Sequence, residues 1–188
     1  MENKVDKRIL KTRQKLIKGL TEVLKSKSIN SIKVNELTRA SGVNRATFYL
    51  HYKDIDDFVE QIENELIIEF TQIFDQNSMR LQMDGTFPAV HAVFDFLVSH
   101  AALISAIVGP NGDKGFAYRL SSIARQKIIN DFIKPNYESP SDYYSVYYMI
   151  NGCTGVIFKW ISDGMREPYD EMARILDKFI FHGTKLVQ

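Results

Sequence analysis

In the first thirty residues, apolar positions recur at helical intervals. Ile9, Leu16, Leu20, Val23 and Leu24 fall on one face, at spacings of seven, four, three and one, while Lys4, Lys7, Arg8, Lys11, Lys15 and Lys18 occupy the remainder. Lys25-Ser-Lys-Ser ends this helix, and a short apolar turn with Ile29 and Ile32 follows. Residues 34–52 read as two short helices. Gly42 lies between them in the left-handed backbone position that ends the first, and Asn44 is placed to cap the second. Lys53-Asp54 forms the next boundary, with Asp54 as N-cap. A long helix is predicted from about Ile55 to Phe74, carrying Phe58, Ile62, Leu66, Phe70 and Ile73 on one stripe.

The remainder continues in the same period. Met83-Asp-Gly-Thr is a break, and Pro88 suits the first turn of a helix running through His100, with a short helix beyond it to Val108. Gly109 to Gly115 reads as a loop. A helix from about Phe116 to Lys134 is stopped by Pro135, and Tyr137 to Pro140 connects it to an apolar helix from Asp142 to Ser162. Gly164 to Glu167 turns the chain, and Pro168 opens a last helix with Met172, Ile175, Leu176 and Phe179 on its stripe. No stretch alternates with period two, so the predicted fold is all-α.

Of the 188 residues, 45% are apolar and 25% charged, a composition able to bury a sizeable core. The single cysteine, Cys153, excludes an intramolecular disulfide and a zinc site built on several thiolates, and fits a reducing compartment. The charged start Met-Glu-Asn-Lys-Val-Asp-Lys-Arg is not followed by an apolar stretch of signal-peptide type. The most apolar stretch, Ala89 to Val108, includes His91, Asp95, Ser99 and His100, which a membrane span would have to bury. These features lead to the expectation of a cytoplasmic protein with no membrane partner.

The net charge of +1 conceals an asymmetry. Residues 1–54 hold 13 basic and 5 acidic side chains, 13 − 5 = +8; residues 55–188 hold 11 and 18, 11 − 18 = −7. A basic head on an acidic body fits a head that meets a polyanion. A lysine-rich solvated helix face fits the charge alone equally well.

Residues 34–52 also have the layout of a helix-turn-helix. The bracing helix needs a buried apolar residue, and Leu37 serves. The turn must be sharp, which Gly42 allows, with Val43 plugging the core behind it. The second helix must bury one face and show polar groups on the other: Phe48 is the buried residue, and Arg45, Thr47, Tyr49 and His51 are left facing outward.

The run Leu37-Thr-Arg-Ala-Ser-Gly-Val-Asn-Arg-Ala-Thr-Phe-Tyr-Leu-His-Tyr-Lys53 resembles the head of the TetR family of bacterial transcriptional regulators. The resemblance covers about residues 7–60. It departs mildly at Thr38 and Ser41, where the family favours alanine. It implies that Arg45 and Thr47 sit nearest base edges, Arg45 forking onto a guanine in the major groove. It likewise implies phosphate contacts for Tyr49, Tyr52 and Lys53, with His51 and the capping Asn44 among them. Lys33, at the start of the bracing helix, would meet a phosphate through its charge and that helix's N-terminus. Tyr49 and Tyr52 fit core positions as well.

A looser similarity extends over the body. Leu103-Ile-Ser-Ala-Ile-Val-Gly-Pro-Asn-Gly-Asp, the Gly152 to Gly164 stretch with Trp160, and Pro168-Tyr-Asp-Glu-Met look like the C-terminal region of the branch that includes activators of dihydroxyacetone kinase operons.

Other signals lead elsewhere. Gly109 to Gly115 lacks Gly-Lys-Ser/Thr and follows no strand, so it reads as a turn and not a phosphate loop. His91 and Asp95, one helical turn apart, read as a structural hydrogen bond, and four scattered histidines give no metal-ligand spacing. No nucleophile elbow, cofactor motif or convincing pair of titratable groups is present, so neither an enzyme nor a cofactor is expected. The aromatic-rich helix with Tyr143, Tyr144, Tyr147 and Tyr148 fits core and interface, or a ligand pocket. Cys153 reads as a buried, inert thiol.

The expected protein is therefore a one-component regulator. Residues 1–54 form a three-helix DNA-binding head, joined by a long helix to an all-α regulatory and dimerisation body at 55–188. It would bind a palindromic double-stranded operator as a homodimer, because two heads must reach successive major grooves about 34–36 Å apart. Ile157, Trp160, Ile161, Ile175 and Phe179 on the last two helices are the expected dimer face. If a small-molecule effector binds, Phe94, Phe116, Tyr144 and Tyr147 are the expected pocket residues. The alternative is a coregulator whose body docks on a partner protein.

Overall fold

The computed structural model describes residues 7–77, 83, 85–130 and 139–185. They form α1 (Lys7–Val23), a 3-10 turn (Ile29–Ser31), α2 (Val34–Ser41), α3 (Arg45–Tyr49), α4 (Ile55–Gln76), α5 (Pro88–Ser99), α6 (Ala101–Val108), α7 (Lys114–Ile128), α8 (Pro140–Ser162) and α9 (Tyr169–Lys185). No strand occurs among the described residues, as the absence of period-two alternation predicts.

Several boundaries follow from local chemistry. Gly42 ends α2 with φ +63°, a left-handed conformation that costs a side-chain-bearing residue more than glycine. Asn44 caps α3, its Oδ1 accepting from the Ala46 amide at 2.7 Å. Asp54 caps α4, its Oδ1 accepting from the Asp57 amide at 2.9 Å, while the Asp57 carboxylate accepts from the amide of Lys53, one residue before the cap, at 2.7 Å. α7 begins at Lys114, two residues before the predicted start, because Asp113 acts as its cap: Oδ1 accepts from the Gly115 amide at 2.8 Å. Its predicted end at Lys134, and the breaks at Pro135 and Tyr137, lie outside the described residues. α8 begins at Pro140, two residues before the predicted Asp142, with proline at the first helical position.

The chain divides into two compact units, Met1–Glu65 with Ala102–Phe116, and Leu66–Ala101 with Ala117–Gln188. In the first unit α1 packs across α2. Leu16, Leu20, Leu37, Phe48 and Phe58 are fully buried, and each such side chain contributes about 1.5–3 kcal/mol relative to leaving it in water. The helices approach closely at Gly19, where an added Cβ would stand 2.7 Å from the Ser41 Cβ. The polar groups at Thr38 and Ser41 are satisfied locally. Thr38 Oγ1 donates to the Val34 carbonyl at 2.8 Å, and Ser41 Oγ donates to the Thr38 carbonyl at 3.2 Å.

The Gly109–Asp113 loop belongs to this unit and is fastened to the end of α1. The Ile29 amide donates to the Asn111 carbonyl at 2.7 Å, and Asn111 Nδ2 donates to the Leu24 carbonyl at 3.0 Å. One side chain thus satisfies a carbonyl that the end of α1 leaves without a helical partner.

In the second unit α5 and α8 both pack against α9. Phe94 meets Trp160 edge to face at 5.2 Å between ring centroids, and Phe70 meets Phe96 at 5.5 Å. The buried carboxylate of Asp177 on α9 accepts from the Phe87 amide at 3.0 Å and lies 2.7 Å from His91 Nε2. The expected His91–Asp95 pairing is therefore replaced by a pairing with a residue 86 positions away. A carboxylate taken out of water needs donors, and Phe87 and His91 supply them, while Asp95 stays exposed. The apolar stretch Ala89–Val108 is carried by two helices, α5 and α6, broken at His100. No single helix among the described residues is long and apolar enough to cross a membrane.

Candidate nucleic-acid interface

α2 starts at Lys33, whose backbone is extended and whose side chain is exposed. Glu36 occupies that helix end, accepting from the Lys33 amide at 2.9 Å and from Lys27 Nζ at 2.6 and 2.7 Å. The Lys27 ammonium, and then the Lys33 amide, hold the Glu36 carboxyl below its ordinary pKa. With a carboxylate already at the helix N-terminus, the positive contribution offered there is the Lys33 ammonium more than the helix end itself.

α3 is anchored by Phe48, which is fully buried and meets Phe58 edge to face at 6.1 Å. Burying one side of so short a helix fixes which side is left out. Arg45, Ala46, Tyr49 and Leu50 are exposed, and Thr47 is half-buried. Positions 45 and 49, and 46 and 50, lie one turn apart, so Ala46 and Leu50 fall opposite Phe48 while Arg45 and Tyr49 line the adjoining flank, where the Tyr49 ring meets Phe48 edge to face at 5.5 Å.

Arg45 is held within this strip. Its Nη1 donates to Asn35 Oδ1 at 3.0 Å, its Nη2 donates to the Tyr49 hydroxyl at 3.3 Å, and its guanidinium lies 5.4 Å from the Tyr49 ring centroid. A guanidinium carries five N–H donors, so two bonds leave capacity for a further acceptor. Tyr49 presents its hydroxyl beside that charge and is 46% exposed.

The remaining expected contacts separate. Lys53 is exposed just beyond α3, His51 is half-buried, and Asn44 is exposed while capping α3. Tyr52 takes the core position of its two readings. It is buried, and its ring lies 4.8 Å from that of Phe58 and 5.4 Å from that of Phe48. Burial raises the phenol pKa above its ordinary value. Arg13 is paired with Glu65, so α1 and α4 are joined beside Tyr52.

The dimer-face residues also separate. Phe179 is 53% exposed, and Ile157 and Ile175 are half-buried. Trp160 and Ile161 are buried within the second unit, Trp160 against Phe94 and with its indole N–H donating to the Glu167 carbonyl at 3.1 Å. Of the expected pocket residues, Phe94 and Phe116 are fully buried. Tyr144 is 69% exposed, and Tyr147 lies beneath the Arg125 guanidinium at 5.0 Å.

Three residues of the interface carried no expectation from the sequence: Asn35, Ala46 and Leu50. Ala46 and Leu50 were legible by arithmetic, since they precede and follow Phe48 by two and so fall on the side away from the core. Asn35 was not, because its contact with Arg45 crosses the turn.

Comparison with known proteins agrees with this architecture. Residues 84–182 match the model of the TetR-type transcriptional regulator C-terminal region. An HTH-type transcriptional regulator of Haemophilus influenzae is 21% identical over 153 residues, covering 79% of this chain and 75% of that protein. The crystal structure of a TetR-family transcriptional regulator from Streptomyces coelicolor superposes with TM-score 0.61 at 18% identity, covering 93% of this chain and 81% of the other. The dihydroxyacetone kinase operon activator DhaS superposes with TM-score 0.55 at 16% identity, covering 88% and 93%. Both structural likenesses are likenesses of fold.

Proposed function

The chain belongs to the TetR family of transcriptional regulators, and from that premise we propose that it binds a palindromic DNA operator as a homodimer through α2 and α3. The observation that carries this reading is the exposed strip of α3, with Arg45 and Tyr49 side by side and Phe48 buried behind them. Lys33, just before α2, and Lys53, just beyond α3, are exposed cations, and residues 1–54 carry a charge of +8. Arg45 and Thr47 read base edges, and Lys33, Tyr49, His51 and Lys53 hold phosphates. Asn44 acts by fixing the start of α3. Tyr52 acts through the core, because it is buried with its ring against Phe48 and Phe58.

Dimerisation places two such strips in successive major grooves. Ile157, Ile175 and the exposed Phe179 supply apolar surface on α8 and α9 for that contact. The test is selection of duplexes from a random-sequence library by the purified chain. Enrichment of an inverted repeat whose half-sites are spaced by about one helical turn supports the reading; recovery of unenriched DNA contradicts it.

A second reading concerns what the body senses. Tyr118, Tyr144 and Tyr148 are each more than two-thirds exposed, and tyrosine is enriched where proteins dock. This favours a partner protein over a small-molecule effector. Protection of these tyrosines from surface iodination in the pure dimer contradicts it, because the dimer itself then covers them.

A further inference from the structure

We propose that Ala46 and Leu50 form an apolar edge that reads thymine methyl groups next to the base contacted by Arg45. The proposal rests on the DNA-binding reading above and adds to it a second, non-hydrogen-bonding means of sequence discrimination.

Leu50 is 78% exposed and continues α3 in helical conformation, its amide donating to the Ala46 carbonyl at 3.2 Å. A lone exposed leucine needs no explanation. This one has a specific setting. Ala46, one turn earlier, is also exposed, and the pair lies alongside Arg45 and Tyr49, one turn apart and bonded to each other. The exposed surface of α3 thus has a polar seam beside Phe48, where Tyr49 meets it edge to face, and an apolar seam opposite Phe48. In the major groove each base pair shows hydrogen-bonding groups, and thymine alone adds a methyl. A polar seam discriminates the first kind of group, and an apolar seam discriminates the second. Leu50 is long enough to reach a methyl one base step from a guanine held by Arg45, and Ala46 leaves room for it.

The experiment uses the full chain and the operator recovered by library selection. Each thymine of a half-site is replaced in turn by deoxyuridine, which removes only the methyl group. The expected result is that at least one replacement weakens binding about fourfold, the value of one apolar carbon taken out of water. Leu50→Ala is expected to bind the thymine and deoxyuridine operators equally at that position, and Leu50→Met to retain part of the preference. Because Leu50 is exposed, both variants should keep wild-type helicity and melting temperature, which circular dichroism checks. An operator without thymine in the half-site overturns the proposal. So does insensitivity to every deoxyuridine, or a methyl preference that survives unchanged in Leu50→Ala; the DNA-binding reading stands in each of these cases. If wild-type protein enriches no sequence at all, the DNA-binding reading fails, and this proposal fails with it.

Discussion

Arg45 Nη1 donates to Asn35 Oδ1 across the turn between α2 and α3, at 3.0 Å. α2 therefore orients the guanidinium within the chain itself, and a pre-oriented donor loses less freedom on binding any acceptor. Arg45→Ala should weaken operator binding by about 1–3 kcal/mol and relax the preference at one base pair per half-site. Asn35→Ala should weaken the same base preference less, because the guanidinium remains but is no longer steered. Titration of both variants against the operator and its single-base changes checks this. Loss of preference at a different base pair for Asn35→Ala contradicts the steering.

Gly19 faces Ser41 where α1 crosses α2, and an added Cβ would meet backbone and side-chain atoms of Ser41 at 2.7–3.0 Å. Backbone cannot rotate out of the way as a side-chain tip can. Gly19→Ala should therefore destabilise the first unit by about 1–3 kcal/mol, in spite of alanine's better helix propensity. A thermal melt that is unchanged or raised contradicts the close approach.

Phe179 and Ile175 sit one turn apart on α9, the first half exposed and the second half-buried. Replacing both with Asp should give monomers in analytical ultracentrifugation. It should also reduce operator affinity sharply, because one head retains only half the contacts. A double variant that remains dimeric places the interface elsewhere.

Cys153 lies within α8, and burial pushes its thiol up to about 11. Only the thiolate is nucleophilic, so in the folded protein alkylation by iodoacetamide should be very slow at pH 8 and should accelerate only as the pH approaches that value. In denaturant the thiol returns toward its ordinary value of about 8.5 and should react readily at pH 8. Equal rates in the folded and denatured protein contradict the burial.

Much of the fold was legible because it is set by local chemistry. Gly42, Asn44 and Asp54 mark helix ends through their own conformations and caps, and the structure places each boundary where those residues predict it. What was not legible depends on partners far away in sequence. Helical spacing puts Asp95 one turn from His91, which makes it the obvious partner in the sequence. Only the packing of α5 on α9 brings Asp177 to it. Asn111 likewise reads as an ordinary loop residue until the Leu24 carbonyl and the Ile29 amide are placed beside it. In the head, the apolar stripe identified Phe48 as buried. It left Tyr52 undecided, because a tyrosine suits a phosphate or a core, and its packing against Phe48 and Phe58 decides between them. On α8, Trp160 and Ile161 share an apolar stretch with residues nearer the surface. A stripe says that a face is covered, but not whether this chain or a second copy covers it.

The basic face around α3 is proposed to bind DNA with sequence preference. The direct measurement is fluorescence anisotropy of the wild-type chain and Lys53→Ala on the selected operator and on a scrambled duplex, across a salt series. The wild type should bind the operator far more tightly than the scrambled duplex, with affinity for both falling as salt rises. Lys53→Ala should weaken both duplexes alike and lower the salt slope by about one unit per subunit. Equal wild-type affinity for operator and scrambled duplex, or a salt slope untouched by Lys53→Ala, would contradict sequence-selective DNA binding through this face.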